Sequence, residues 1–233
     1  MFLNIQENAI FIADTHYNEN RVEFLSFLLK VKTQEIKTTQ LFLMGDMFDF
    51  LCSQGDFFVN KNIEVINLLN ELSKSIEIVY LEGNHDYNLK KLFPNIKVYK
   101  REKQPILAKL NDKNVSLSHG DIFVNQSYDA YCKIIRNKLL LNIINSIDFN
   151  NIITKKIDKY LLSKNICHKL DNFEEIAKKR VENYNTDIII EGHYHQGSRF
   201  EFGNKEYINI PSLACSNEYS IVKNNTITNT SFY

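Results

Sequence analysis

The chain has no net charge: 28 Lys and Arg balance 28 Asp and Glu over 233 residues. No global field therefore draws it to nucleic acid or anionic lipid, and any such preference must come from a local patch. It also lacks any run of 18 apolar residues, which excludes a membrane-spanning helix on sequence grounds. Its first residues, Met-Phe-Leu-Asn-Ile-Gln-Glu, lack the basic start of a secretory signal. The expected location is the cytoplasm, with peripheral contact to the inner membrane as a further expectation. Cysteine is sparse, at positions 52, 132, 167 and 215. No Cys-x-x-Cys pair occurs and the spacing fits neither a zinc knuckle nor a disulfide framework. Four reduced thiols are expected, as in a cytosolic protein. Residues 125–184 contain no Gly and no Pro, so nothing there punctuates a run of helices.

Against these absences stands a concentration of histidine. Five of the six histidines fall in short motifs with Asp, Asn and Gly: Asp14-Thr15-His16, Gly83-Asn84-His85-Asp86, Ser118-His119-Gly120-Asp121 and Gly192-His193-Tyr194-His195. A fifth motif without histidine, Gly45-Asp46-Met47-Phe48-Asp49, lies between the first two. Each motif follows a short apolar run, at 8–13, 40–44, 76–81, 114–118 and 187–190, which reads as a buried strand. Helical periodicity occupies 20–31 and 61–73 between the first three strands. Alternating strand and helix predicts an α/β layered fold, whose ligands gather beyond the carboxyl ends of the strands. The segment 104–118 reads as a hairpin turning at 111–114. Residues 197–232 read as short strands turning at Gly203-Asn204 and at 223–225, which suggests a second sheet packed on the first.

The residue types suit metal chemistry, because imidazole and carboxylate ligate first-row metals. Asp14 and His16, two apart at a strand end, can face one ion. Asp46 has two carboxylate oxygens and can bridge two ions, or it can simply cap a helix. Asp49 can hold the turn or a ligating histidine. Asn84 offers a neutral carbonyl oxygen. His85 can protonate a leaving group, with Asp86 orienting it; the same four residues can also form a purely structural turn. His119, His193 and His195 add three imidazoles. His168, outside the motifs, is expected to be structural or exposed.

The ordered set Asp-x-His, Gly-Asp-x-x-Asp, Gly-Asn-His-Asp, His-Gly-Asp and Gly-His-x-His resembles the calcineurin-like metallophosphoesterase superfamily. That resemblance implies a four-layer α/β/β/α sandwich and two divalent metal ions, expected to be manganese, with iron or zinc as alternatives. It assigns Asp14, His16, His195 and a bridging Asp46 to the first metal, and Asp46, Asn84, His119 and His193 to the second. His85 matches the general acid, Asp86 its orienting partner, and Asp49 and Asp121 support the ligands. Two cations about 3.5–4 Å apart would activate a hydroxide for in-line attack on phosphorus.

Residues 125–184 read as helices rich in Leu and Ile, with Lys and Arg outnumbering Asp and Glu. A helical insertion between His-Gly-Asp and Gly-His-x-His is similar to that of the UDP-2,3-diacylglucosamine diphosphatase branch, where a helical cap holds acyl chains. One metallophosphoesterase domain with a cap at about 125–184 is therefore expected. The expected reaction is cleavage of a diphosphate to UMP and lipid X, with Lys133, Arg136 and Lys138 meeting the substrate. That branch often has Arg where this chain has His85. A phosphodiesterase or nuclease acting on nucleotides is the alternative; it would need stacking aromatics, for which Tyr17, Phe48, Tyr87 and Tyr194 are candidates. A non-catalytic binding scaffold is a third reading, and it should have lost ligands that are all present here. The expected partner is a phosphoester or nucleotide-sugar lipid, with no nucleic acid and no obligate protein partner.

Overall fold

Each of the five apolar runs forms a strand, and the strands divide between two six-stranded sheets. The computed structural model describes residues 2–233. The first sheet runs in the order Thr226–Ser231, Glu218–Lys223, Ile10–Ile12, Gln40–Leu43, Glu77–Leu81, Lys97–Tyr99. Its last four strands are parallel, with Ile10, Phe11 and Ile12 opposite Leu41, Phe42 and Leu43. The second sheet runs Leu3–Asn4, Ile106–Leu110, Lys113–Ser118, Ile188–Glu191, Lys205–Asn209, Arg199–Phe202. The expected hairpin at 104–118 forms, with its turn at Asn111 and Asp112.

Side chains alternate across the first sheet as a period of two requires. Phe11, Phe42, Val79 and Leu81 point inward and meet Val115, Leu117, Ile188 and Ile190 of the second sheet. Ile10, Ile12, Leu41, Leu43, Ile78 and Tyr80 point outward and are covered by the helices Glu23–Lys32 and Ile63–Leu72. The outer face of the second sheet is covered by the helix Phe173–Val181, through Phe173, Ala177 and Val181 against Ile189 and Tyr207. The layers are therefore helix, sheet, sheet, helix.

Two expectations need correcting. The segment 197–232 does not belong wholly to the second sheet. Its last hairpin, Glu218–Ser231, pairs with Ile10–Ile12 and extends the first. The helical block also divides. Gln126–Ile135, Lys138–Ile147 and Ile152–Leu162 lie outside the sandwich, in the stretch expected to form a cap, whereas Phe173–Val181 is a layer of the sandwich. The apolar face of that last helix is sealed by the sheet; the cap helices keep theirs largely exposed.

Candidate dinuclear metal centre

All five motifs leave their strands at one end of the sandwich, and the loops they form converge. Asp14, His16 and His195 place ligand atoms within 4.8 Å of one another, and so do Asp46, His119 and His193. Asp46 joins the two groups: its Oδ2 lies 3.5 Å from His119 Nε2 and 3.9 Å from His16 Nε2. Asn84 Oδ1 lies 3.1 Å from His119 Nε2. Asp14 Oδ1 lies 3.4 Å from His195 Nε2. The structure thus brings together all seven residues expected to bind metal, in the two groups expected.

The backbone is bent hard to achieve this. Asp14, His16, Asp46, His193 and His195 all have positive φ, between 42° and 67°. Non-glycine residues seldom adopt that region, and where they do the surrounding structure must hold them. Gly45, at φ 93°, packs so closely on His119 that a Cβ would lie 2.4 Å from its Nδ1. That Nδ1 is hydrogen-bonded to the Met44 carbonyl at 2.9 Å, which leaves Nε2 to face the site.

The charge distribution fits a pair of cations. Asp14, Asp46 and His119 are fully or nearly fully buried. Asp14 Oδ1 and His16 Nδ1 are buried without a hydrogen-bond partner. Burial opposes protonation of His119, but the carboxylates around it, Asp46 foremost, push its pKa up to about 10. Burial likewise opposes ionisation of Asp46, and the imidazoles facing it, His119 first, hold its carboxyl well below the usual range. Burial, assisted by the charge on His119, pushes His193 down to about 4. In the bare protein a proton on His119 balances charge that a divalent ion would balance when bound.

Asp86 is placed differently from expectation. It does not contact His85. Its carboxylate accepts hydrogen bonds from the backbone N–H of Asp46, Met47 and Gly83 at 3.1, 2.6 and 2.9 Å, and from the Tyr80 hydroxyl at 2.6 Å. It therefore locks the Gly45 and Gly83 turns together. Burial, with the nearby Asp46 carboxylate, pushes its pKa up to about 6. His85 is oriented instead by the Asp49 backbone carbonyl, 2.6 Å from its Nδ1, while its backbone N–H donates to Asp46 Oδ1 at 2.8 Å. A carbonyl can only accept, so Nδ1 carries the proton and Nε2 is the free ring nitrogen.

Asp49 Oδ1 stands 3.4 Å from His16 Nδ1 and is clamped by Arg21 Nη2 at 2.6 Å. Asp121 receives Arg101 Nε at 3.0 Å and Arg136 Nη2 at 3.3 Å, and touches no ligand directly. Arg136 is buried and donates to the Gly83 carbonyl at 2.7 Å, so it supports the Asn84 turn. Arg136, Lys133 and Lys138 line a hollow of about 290 Å³ with Glu82, Asn88, Lys100 and Glu102, separate from the metal cavity. None of these three lines the cavity over the ligands.

The cavity over the ligands has a volume of about 310 Å³ and is lined by His16, Asp46, Asn84, His85, His193, Tyr194 and His195 on one side. The other side is a strap comprising Lys164, Asn165, Ile166, His168 and Leu170. Nothing in the residue pattern marks the strap, which has no regular secondary structure and no motif. His168 is exposed, as expected, and also faces the cavity. The cysteines need a correction as well. Cys52 and Cys132 are free and buried, but Cys167 and Cys215, 48 residues apart, form a disulfide. Spacing rules see only neighbours along the chain, and this pair is made by the strap folding back over the site. A larger hollow of about 800 Å³, lined in part by Val31, Lys32, Thr38 and Glu71, includes none of the metal-site residues.

Beneath the second group lies a buried polar cluster that the motifs do not reveal. Glu191 receives Arg180 Nε at 2.9 Å and Nη2 at 2.5 Å, Tyr207 at 2.8 Å, and also Tyr184 and Ser118. Because Glu191 directly precedes Gly192-His193, this cluster fixes the end of the strand from which His193 and His195 emerge.

A catalytic metallophosphoesterase is the class of protein that this sandwich and its two linked ligand groups define. Residues 8–197 match the calcineurin-like phosphoesterase family, and the chain belongs to that family. It is a metal-dependent hydrolase of a family that uses a dinuclear centre, and it carries two groups of residues that could each hold an ion. It is also similar to proteins named UDP-2,3-diacylglucosamine hydrolase. That of Wigglesworthia glossinidia brevipalpis is 24% identical over 217 residues, covering 86% of this chain and 84% of the relative. That of Histophilus somni strain 2336 is 25% identical over 202 residues, covering 82% and 85%. That of Blochmanniella floridana is 26% identical over 207 residues, covering 81% and 80%.

Proposed function

We propose that the chain hydrolyses the diphosphate of a nucleotide-sugar lipid of the UDP-2,3-diacylglucosamine type, releasing UMP and the acylated sugar phosphate, lipid X. The observation that carries this reading is the apolar face of the cap. Leu139 is 70% exposed, Ile134 60%, Phe149 79% and Ile147 56%, and Ile143 and Ile152 are also open. Contiguous exposed apolar surface of this kind marks a binding face. The chemistry that fits it is a pair of acyl chains drawn from a lipid surface. Lys133, Lys138, Lys155 and Lys156 on the same helices favour an anionic one. No helix among the described residues is long and apolar enough to cross a membrane, so the contact would be peripheral. The names of the relatives support the same substrate.

Asp14, His16, His195 and Asp46 would hold one divalent ion, and Asp46, Asn84, His119 and His193 the other. Bound there, manganese or a similar ion supplies Lewis acidity toward phosphoryl oxygens and an activated water. The protein's own residues do the rest. Asp86 and Tyr80 keep the two turns carrying Asp46 and Asn84 in fixed relation. His85, with Nδ1 held by the Asp49 carbonyl, presents Nε2 to the cavity, where it can pass a proton to the departing phosphate oxygen. The strap limits water access from the side facing the ligands.

A nucleotide phosphodiesterase is less well supported. Of the four aromatic candidates only Tyr194 lines the cavity; Phe48 and Tyr87 are buried, and Tyr17 packs on Phe48. The test is turnover of UDP-2,3-diacylglucosamine with manganese beside bis-p-nitrophenyl phosphate. UMP and lipid X released much faster than nitrophenol would support the proposal. Turnover of the generic diester alone would overturn the lipid assignment.

A further inference from the structure

The segment 164–170 closes one side of the metal cavity without helix or strand. Three hydrogen bonds join it to the Gly192 loop: His195 Nδ1 donates to the Ile166 carbonyl at 2.8 Å, Gln196 Nε2 donates to the His168 carbonyl at 2.8 Å, and the Leu170 N–H donates to Gln196 Oε1 at 3.0 Å. Two of the three depend on one side chain, and the latter two are exposed. The remaining tie is covalent, from Cys167 to Cys215 in the short helix Leu213–Ser216. Cys167 is exposed and Cys215 half-buried, in contrast to the buried thiols of Cys52 and Cys132. Exposed disulfides are the ones open to exchange with small thiols.

The position of this bond ties it to the metal centre. Cys167 directly follows Ile166, whose carbonyl accepts from His195 Nδ1, and Cys215 Sγ lies 3.8 Å from that same nitrogen. The Ile166 carbonyl fixes the proton on Nδ1 and so leaves Nε2 for the first ligand group. A partner of this kind orients a ligating histidine and raises its basicity. We propose that Cys167–Cys215 is a redox site: as a disulfide it clamps the strap over the cavity and holds His195 as a ligand, and on reduction it frees both. A dithiol supplies the two electrons and two protons. One of its thiolates attacks a sulfur of the disulfide, the Cys167–Cys215 bond breaks to give two thiols, and the reductant leaves as its own cyclic disulfide.

The inference rests on the dinuclear reading of the site, and its test separates the two. The full chain, stripped of metal, is compared as isolated under oxidising conditions, after dithiothreitol, and as Cys167→Ser. Two quantities are read: hydrogen exchange at 164–170 and affinity for Mn²⁺ by calorimetry. Reduction should speed exchange across 164–170 at least about tenfold and weaken binding at the first site by about 10–100-fold, the usual loss when a ligand's outer partner is removed. Cys167→Ser should match the reduced protein; should that variant not fold, the dithiothreitol arm decides alone. Full alkylation of both cysteines in the folded, never-reduced protein would overturn the proposal. Equal exchange and equal affinity in both redox states would do the same. Absence of Mn²⁺ binding in every state would refute the metal reading, while a redox difference in exchange would still uphold the clamp.

Discussion

His85 and Asp86 are neighbours in sequence with separate tasks. In a Gly-Asn-His-Asp turn, adjacency suggests that the carboxylate orients the imidazole. The structure instead sends Asp86 inward to three backbone N–H groups and Tyr80, and lets the Asp49 carbonyl orient His85. The reason is the pressure to satisfy buried donors at two tight turns, which a fully buried carboxylate meets and a loop imidazole cannot. This division makes a prediction for the residue. His85→Ala should keep its full metal content and its fold, because the His85 ring only packs edge-on against His16 and its one hydrogen bond to a ligand comes from its backbone N–H. Turnover should fall about 100- to 10,000-fold, the usual range for loss of a general acid. Steady-state kinetics alongside metal analysis would check this, and an unchanged kcat would remove His85 from the proton path.

At the scale of elements, the strands and the turns between them were readable because burial imposes a period of two and Gly, Asn and Lys mark the reversals. The helices at 20–31 and 61–73 were readable because their apolar faces are sealed. The sequence could not show which helices of the 125–184 block pack on a sheet. Phe173–Val181 and Lys138–Ile147 are both amphipathic, and only the sheet's presence distinguishes them. The open cap face provides its own test. Leu139→Glu with Ile143→Glu should leave hydrolysis of bis-p-nitrophenyl phosphate within about twofold, since neither residue lines the metal cavity. It should lower kcat/KM for the diacylated substrate at least tenfold, because a charge on an apolar binding face costs several kcal/mol to desolvate. Equal loss on both substrates would make the cap a structural element.

For the whole molecule, stability and function meet at the Glu191 cluster, where the second sheet, the Phe173–Val181 helix and the ligand loop join. Burial alone would raise the Glu191 pKa, but the Arg180 ion pair and the hydroxyls of Tyr184 and Tyr207 outweigh it and hold the carboxyl below its usual value. A folded-state value below the unfolded one means that the stability Glu191 contributes is present above the unfolded pKa. It is lost as pH falls through the folded one. Arg180→Met would leave that carboxylate buried and unpaired, and should cost about 3–5 kcal/mol at pH 7. The carboxyl would then take up a proton more readily, so the gap between variant and parent should narrow as pH drops from 7 toward 5. Urea unfolding at the two pH values measures it, and a gap independent of pH would count against the assignment.

Sequence alone determined the ligand types, their order along the chain, and their position after buried strands. Those are local facts: a strand end, a glycine turn and a metal-ligating side chain are each encoded within a few residues. Tertiary structure decided what depends on contact between distant segments. It set the sharing of Asp46 between two groups of ligands, the positive φ angles that aim five of them, and the buried charge contact that, against the effect of burial itself, drives Asp46 and His119 apart in pKa. It also gave Asp86, Arg136 and Glu191 their supporting roles, and it joined Cys167 to Cys215 across 48 residues. Each of these is a distance between atoms far apart in the chain, and only the packing of two sheets face to face fixes such distances.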